Sequence, residues 1–132
     1  MEPARGTIDL PLVADRGDGR RGVPPAAGRG VPAVTHYEVV ERFGPLATLV
    51  ACRLETGRTH QIRIHLAARG HAVVSDPVYR PADWPAFPLP FSRQALHAQA
   101  LGFAHPFTGL NVRIEAPLPA DLAQWIADLR GP

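Results

Sequence analysis

Residues 55–66 read Glu55-Thr56-Gly57-Arg58-Thr59-His60-Gln61-Ile62-Arg63-Ile64-His65-Leu66. The first residues favour a tight turn, and Ile62 and Leu66 then recur at the spacing of four that is typical of a helix. The stretch holds two arginines, while its only acid, Glu55, precedes the turn. Because a guanidinium binds planar oxygen groups through paired hydrogen bonds, this cluster suits a phosphate, a nucleobase or a buried carboxylate.

The segments before this stretch predict a β-hairpin. Residues 34–42 alternate in polarity, as in a strand with one buried face. Residues 47–54 are β-branched or apolar on both faces, which predicts a central strand. The sequence Phe43-Gly44-Pro45 supplies the turn between them.

A helix is predicted from Thr59 to Arg69, with Thr59 as its N-cap and Gly70 at its C-terminal end. The cluster therefore lies at a strand-to-helix junction. The free N–H groups of the first helical turn favour an anion there. Arg63 follows the inward-facing Ile62 by one residue, so it can point into a cleft beside the sheet, where a buried arginine requires an anionic partner. The alternative is an exposed arginine on a helix surface.

The remaining pattern predicts strands and one more helix. A short extended piece is predicted at residues 6–12, and a strand over most of residues 94–103. A turn at His105-Pro106-Phe107-Thr108-Gly109 leads to a strand at residues 110–116. Its inward residues would be Leu110, Val112 and Ile114. The last helix carries an apolar stripe formed by Leu122, Trp125, Ile126 and Leu129. The order of strands, helix, strands and helix indicates an α+β fold.

The length of 132 residues fits a single domain over 1–132. Residues 15–32 are rich in Gly, Pro and Arg and predict a flexible loop, and 34–132 the ordered part. This loop is either a linker or an arginine-bearing arm that orders on RNA. All 14 bases are arginine, at a net charge of only +2. Without an apolar leader or a membrane-length apolar run, the sequence predicts a cytoplasmic protein that is not bound to a membrane.

Several chemistries lack support in the sequence. His60 and His65 are five residues apart and face different sides of a helix, so no metal site is predicted. No Gly-x-Ser-x-Gly turn or glycine-rich nucleotide loop is present. Asp76 follows an apolar run and is interpreted as the cap of a turn before Pro77, although a role as an acid stays open.

Several collinear motifs resemble the RluA-type pseudouridine synthases. The longest is the run from Leu54 to Leu66, and the others are Gly70-His71 through Asp76 and Tyr79, Arg93-Gln94-Ala95-Leu96-His97-Ala98, His105-Pro106 and Ala116-Pro117-Leu118-Pro119. Gly6-Thr7-Ile8-Asp9 and Pro11-Leu12 also fit. The resemblance covers nearly all of the chain. Around Asp76 the sequence departs from the family, because Ala72 replaces the usual proline and Ser75 the usual glycine.

The resemblance implies an α+β fold with a mixed, mostly antiparallel sheet and packed helices. It implies an enzyme that isomerises uridine in ribosomal or transfer RNA to pseudouridine without a cofactor or a metal. The target nucleotide is flipped into a pocket, and an aspartate acts as the nucleophile. The arginine that pairs with this aspartate maps to Arg63. The neighbouring residues expected to shape the turn or bind RNA are Arg58, Thr59, His60, Gln61 and His65.

The family's aspartate lies in an His-Arg-Leu-Asp motif that these 132 residues do not contain. The chain therefore resembles the C-terminal half of the catalytic domain. One interpretation is a fragment of an enzyme, cut by a misassigned start, a frameshift or a split gene, that is inactive without the other half. A second is a non-catalytic RNA-binding remnant of the same fold. An unrelated small binding module remains a third if the motif matches are chance.

Overall fold

The computed structural model describes residue 1 and residues 3–25, 28–104 and 106–131. The chain divides into two units, Met1–Gln94 and Ala95–Pro132. The first unit contains β1 (Arg5–Asp9), β2 (Val34–Phe43), β3 (Ala47–Leu54) and α1 (Gln61–Ala68). The second contains β4 (Ala100–Ala104), β5 (Asn111–Glu115) and α2 (Ala120–Arg130). The predicted α+β class is confirmed, whereas the single domain stays a prediction.

The first unit is built on an antiparallel sheet with the strand order β1-β2-β3. The predicted hairpin is confirmed, and Gly44, with φ of 56°, lies in its turn. The prediction that 47–54 form a central strand is wrong, because β2 is central and β3 is an edge strand within the described part of the chain. An apolar composition predicts a strand that is covered on both faces, whereas most β3 side chains are only partly buried.

The helix α1 packs against the face of β2 that carries Thr35 and Tyr37, both of which are buried. The helix ends at Ala68, and Gly70 lies just beyond its C-cap Arg69, at the position that was predicted for it. Gly70 has φ of 78°, and its N–H donates to the Ala67 carbonyl, while the His71 N–H donates to Leu66. This pair of bonds satisfies carbonyls that the last turn would otherwise leave free, and the left-handed backbone favours glycine.

The loop at residues 15–32 forms defined contacts. Asp15 Oδ1 accepts bonds from the N–H groups of Gly17 and Gly19, each at 2.8 Å. Backbone hydrogen bonds join Leu12 to Val31 and Val13 to Gly22, so the two ends of the loop lie side by side. Its predicted flexibility and any ordering on RNA stay predictions. Ala26 and Ala27 lie outside the described residues.

The core below this loop joins it to α1. Leu12, Ala33 and Ile64 form a buried cluster, against which Val23 and Tyr79 pack. Burial of this apolar surface fixes the position of α1 relative to the loop. Neither α1 nor α2 has the length and apolarity needed to cross a membrane.

The second unit corrects two predictions. The strand predicted over most of 94–103 is limited to β4 at Ala100–Ala104. The strand predicted at residues 110–116 is β5 at Asn111–Glu115. Its predicted inward residues Leu110, which precedes β5, and Ile114 are both exposed, and the Val112 side chain and His105 lie outside the described part. Alternation of apolar residues indicates a strand without showing that either face is covered. The predicted stripe of α2 is confirmed for Leu122, Trp125 and Ile126, which are buried.

Candidate active-site cluster around Arg63

The turn before α1 is closed by the side chain of Gln61. Its Oε1 accepts bonds from Thr56 Oγ1 at 2.7 Å and from the Arg58 N–H at 3.0 Å. Its Nε2 donates to the Val34 carbonyl at 3.0 Å, which fastens the turn to β2. Gln61 is only 2% exposed. Because the Gln61 amide forms hydrogen bonds within the protein through both Oε1 and Nε2, it positions the residues on either side of it.

His60, rather than Thr59, precedes the first residue of α1. His60 has a left-handed backbone, with φ of 56° and ψ of 24°, and no side chain caps the helix. The prediction of Thr59 as N-cap is therefore wrong. The Gln61 side chain closes the turn, and the Gln61 N–H donates to the Arg58 carbonyl at 3.1 Å.

Arg63 and Asp76 form a buried ion pair. Arg63 Nε donates to Asp76 Oδ2 and Nη2 donates to Oδ1, both at 2.8 Å, and the side chains are 8% and 0% exposed. Asp76 Oδ1 also accepts the N–H groups of Val78 at 2.9 Å and Tyr79 at 3.1 Å. The two-point geometry fixes the guanidinium plane. The interpretation of Asp76 as a turn cap is confirmed, and the structure adds its pairing with Arg63.

The ion pair is charged at neutral pH. Burial by itself would raise the pKa of Asp76, but the hydrogen bonds from Arg63 and from two backbone N–H groups outweigh it and lower that pKa below its usual value. The bond to Asp76 raises the pKa of Arg63. The pair therefore holds two opposite charges in a fixed orientation near the start of α1.

Tyr79 completes the cluster. The Arg63 Cζ lies 5.0 Å from the centroid of the Tyr79 ring, within the range of a cation–π contact. A hydrogen bond of 2.7 Å joins the Tyr79 hydroxyl to His60 Nδ1, and the two rings meet edge to face. Burial raises the pKa of Tyr79, so it stays a neutral phenol at physiological pH. His60, Tyr79, Arg63 and Asp76 therefore form one connected network of contacts.

The family resemblance pairs Arg63 with an aspartate that these 132 residues do not contain. In the structure, Asp76 accepts hydrogen bonds from Arg63 Nε and Nη2. Within the described residues Arg63 Nη1 donates no hydrogen bond, so a second carboxylate at that nitrogen stays a prediction. The sequence motif Asp76 to Tyr79 was recognised as part of the family pattern, but its contact with Arg63 spans 13 residues and has no signature in local periodicity.

Two predicted RNA-binding residues lie in the interior instead. Gln61 is buried as described, and His65 is 0% exposed. His65 Nε2 donates to the Leu10 carbonyl at 2.9 Å, so its Nδ1 accepts the Thr35 hydroxyl at 2.8 Å. Burial lowers the pKa of His65, which keeps the ring neutral. The polar atoms of both residues hold α1 to β2 and to the segment after β1, and their contact with RNA stays a prediction.

Arg58, Thr59 and His60 are exposed, as RNA contact would require. Arg58 Nε donates to the Pro32 carbonyl at 2.9 Å, which leaves its other guanidinium nitrogens for a ligand. Their contact with RNA stays a prediction. No group of three His, Cys, Asp or Glu residues suited to a metal ion occurs in the part of the chain that the structure describes.

The known proteins to which this chain is similar carry consistent descriptions. A family model for RNA pseudouridylate synthase matches residues 1–68. An uncharacterized RNA pseudouridine synthase YlyB of Bacillus subtilis is 48% identical over 125 residues, which cover 95% of this chain and 39% of that protein. The ribosomal large subunit pseudouridine synthase D of Escherichia coli K12 is 40% identical over 136 residues, which cover 96% of this chain and 41% of that protein.

A solved structure, human RNA pseudouridylate synthase domain containing 1, superposes with a TM-score of 0.71 at 26% identity, covering 100% of this chain and 62% of that one. The chain thus spans about two fifths of the length of the curated relatives that it matches.

Proposed function

The chain belongs to the RNA pseudouridine synthase family, and we propose that it supplies the Arg63 side of the active site of an enzyme that isomerises uridine in ribosomal or transfer RNA to pseudouridine. The proposal rests on the buried Arg63, which Asp76 holds by two hydrogen bonds while Nη1 is left without one among the described residues. A guanidinium held in this way can orient a second, catalytic carboxylate with no loss of its own side-chain freedom.

In the proposed reaction, a nucleophilic aspartate forms a bond to C1′ of the target ribose as the bond from C1′ to N1 breaks. The freed base turns, its C5 attacks C1′ and releases the aspartate, and C5 then loses a proton while N1 takes one up. Arg63 keeps the aspartate ionised and aimed, because a cation within hydrogen-bonding distance lowers a carboxyl pKa. Arg63 is a positioning residue in this account, since it acts through the aspartate. No step requires a cofactor.

We propose further that the 132 residues alone are inactive, since the sequence lacks the His-Arg-Leu-Asp motif of the family. The partner would be the part of a catalytic domain that carries this aspartate. A non-catalytic RNA-binding role is the second candidate. The non-catalytic role is favoured because Asp76 already accepts hydrogen bonds from two Arg63 nitrogens. This pairing gives Arg63 a structural role that needs no aspartate from another segment.

A reconstitution experiment distinguishes the two candidate functions. The matching segment of the Bacillus subtilis relative is replaced by this chain, and both the chimera and the isolated chain are assayed for tritium release from RNA labelled at uridine C5. We expect release by the chimera and none by the isolated chain. Release by the isolated chain would contradict its predicted inactivity. A folded chimera that releases no tritium, while the intact relative does, would favour the non-catalytic role.

A further inference from the structure

A cavity of about 450 Å³ lies beside α1, within the first unit of the chain. Its walls come from the loop at residues 16–23, from α1 and from residues 78–82. The lining includes four arginines, Arg16, Arg20, Arg21 and Arg80, together with the Tyr79 ring and the apolar side chain of Ile64. A volume in this range, with an apolar floor and a few convergent polar groups, is typical of a small-ligand site.

The cavity carries a net positive charge. No acid lines it. The nearby acids are used to fold the loop: Asp15 binds backbone N–H groups, and Asp18 Oδ2 accepts Nε and Nη2 of Arg16 at 3.0 and 2.8 Å. Arg80 Nη2 donates to the carbonyls of Trp84 and Pro85, which orient its guanidinium without neutralising it.

Arg20 and Arg21 are the two guanidiniums that remain. Both are exposed, and neither side chain makes a hydrogen bond or ion pair with any residue in the described ranges. Their backbone is nevertheless fixed, because the Arg20 N–H donates to Asp18 Oδ1 at 3.0 Å and its carbonyl accepts the Arg16 N–H at 2.9 Å. Two unpaired cations therefore stand on a braced loop at the edge of an apolar cavity.

We propose that this cavity binds a nucleotide of single-stranded RNA, with Arg20 and Arg21 contacting its phosphodiester group and Tyr79 lying against its base or ribose. Guanidinium groups bind phosphate oxygens in pairs, and an aromatic ring offers a surface to a base of any sequence. The assignment of the ligand to RNA rests on the proposed function. The assignment of a phosphate group to the ligand rests on the arginines of the cavity alone. An acidic peptide would satisfy the arginines but would leave the ring and the apolar floor unused.

The test measures binding of a fluorescent eight-residue oligouridylate to the 132-residue chain by anisotropy at several salt concentrations. The test variant is Arg20→Gln/Arg21→Gln, which leaves the backbone bonds of the loop intact. The matched control is Arg5→Gln/Arg53→Gln, which removes the same charge from two exposed arginines on the sheet. Unchanged circular dichroism and thermal midpoints establish that both variants are folded.

We expect the test variant to bind about tenfold more weakly than the control, with a salt slope smaller by about 1 to 2, because each lost phosphate contact releases about one counterion fewer. Equal weakening of oligouridylate binding in both variants would contradict the proposed site, because the loss of net charge alone would then explain the result.

Competition identifies the ligand. We expect uridine 5′-monophosphate to displace the oligouridylate from the wild-type chain and a peptide of glutamates of equal charge to fail. Displacement by the peptide at the same concentration would overturn the assignment to nucleic acid. Because binding needs no chemistry, an inactive chimera with arginine-dependent binding would remove the proposed enzyme function and leave this site standing, and an active chimera without such binding would do the reverse.

Discussion

Ser75 has a left-handed backbone, with φ of 62°, immediately before the buried Asp76. The backbone at this position favours glycine, because residues with a Cβ are strained at positive φ. The strain is offset by the four hydrogen bonds that Asp76 accepts. Ser75 is thus a position at which this sequence is suboptimal for its own fold.

Substitution of Ser75 by glycine is expected to raise the free energy of unfolding by about 0.5–1 kcal/mol, because the relief of left-handed strain exceeds the added chain entropy. Chemical denaturation measures it. Ser92→Gly, at an exposed serine without positive φ, is the control and is expected to give no gain. A loss of stability in Ser75→Gly would show that the Ser75 side chain contributes more than its backbone costs.

Asp76→Asn is expected to lower the free energy of unfolding at pH 7 by about 3–5 kcal/mol, because it leaves the Arg63 charge buried without an anionic partner. Urea unfolding measures the loss. Asp83→Asn, at an exposed aspartate, is the control and is expected to change stability by less than about 0.5 kcal/mol.

The same pair predicts a pH dependence. The folded-state pKa of Asp76 lies below its ordinary value of 3.8, so the folded chain binds fewer protons than the unfolded chain near that pH. The stabilisation is present above about pH 4 and is lost as the pH falls through the folded pKa. We expect Asp76→Asn to lack this step in a series of unfolding curves. An identical acid-induced loss in both proteins would assign the step to other carboxyl groups.

At the scale of elements, β3 is an edge strand within the described part of the chain. It pairs with β2 on one side, while no described strand pairs with its other edge, and apolar side chains at Val40, Leu46 and Leu54 on the hairpin are exposed. An unpaired edge beside exposed apolar groups is a template for pairing with another strand. This edge is the place where the isolated chain is expected to self-associate.

Ala51→Lys, which places a charge on β3, is expected to reduce this self-association. Sedimentation velocity over a tenfold or larger concentration range measures it. Ala127→Lys on the exposed side of α2 is the control and is expected to leave association unchanged. A monodisperse monomer with a sharp cooperative melt in the unmodified chain would count against the role assigned to β3.

Sequence reasoning was most successful for elements whose signal is local. The β2 alternation, the turn at Gly44 and the ends of α2 follow from side-chain period, glycine geometry and terminal residues, and all three are present. It failed for β3 and for the inward face of β5. Apolar composition predicted burial at β3 and apolar alternation predicted it at β5, whereas burial depends on which other elements cover a strand.

At the scale of the whole molecule, the site residues again divide into features that local sequence signals predict and contacts that they do not. Arg63 and Asp76 both stood out in the sequence, Arg63 as a buried arginine that needs an anion. Their pairing, and the burial of Gln61 and His65, arise from contacts between segments far apart in the chain, so no spacing rule reveals them. Gln61 and His65, both polar residues within the functional motif, hold the turn and α1 in place through buried hydrogen bonds.

The most direct test of the central claim compares two variants of the chimera with the Bacillus subtilis relative. Both Arg63→Gln and Asp76→Asn break the buried ion pair, but only Arg63→Gln removes the nitrogen that would face a catalytic aspartate. Tritium release per folded enzyme, with foldedness established by thermal melting, is the measurement. We expect Arg63→Gln to lower the rate by about 100-fold or more and Asp76→Asn to lower it much less. Equal losses in the two variants would contradict the account, because Arg63 would then act only by holding Asp76 in the fold.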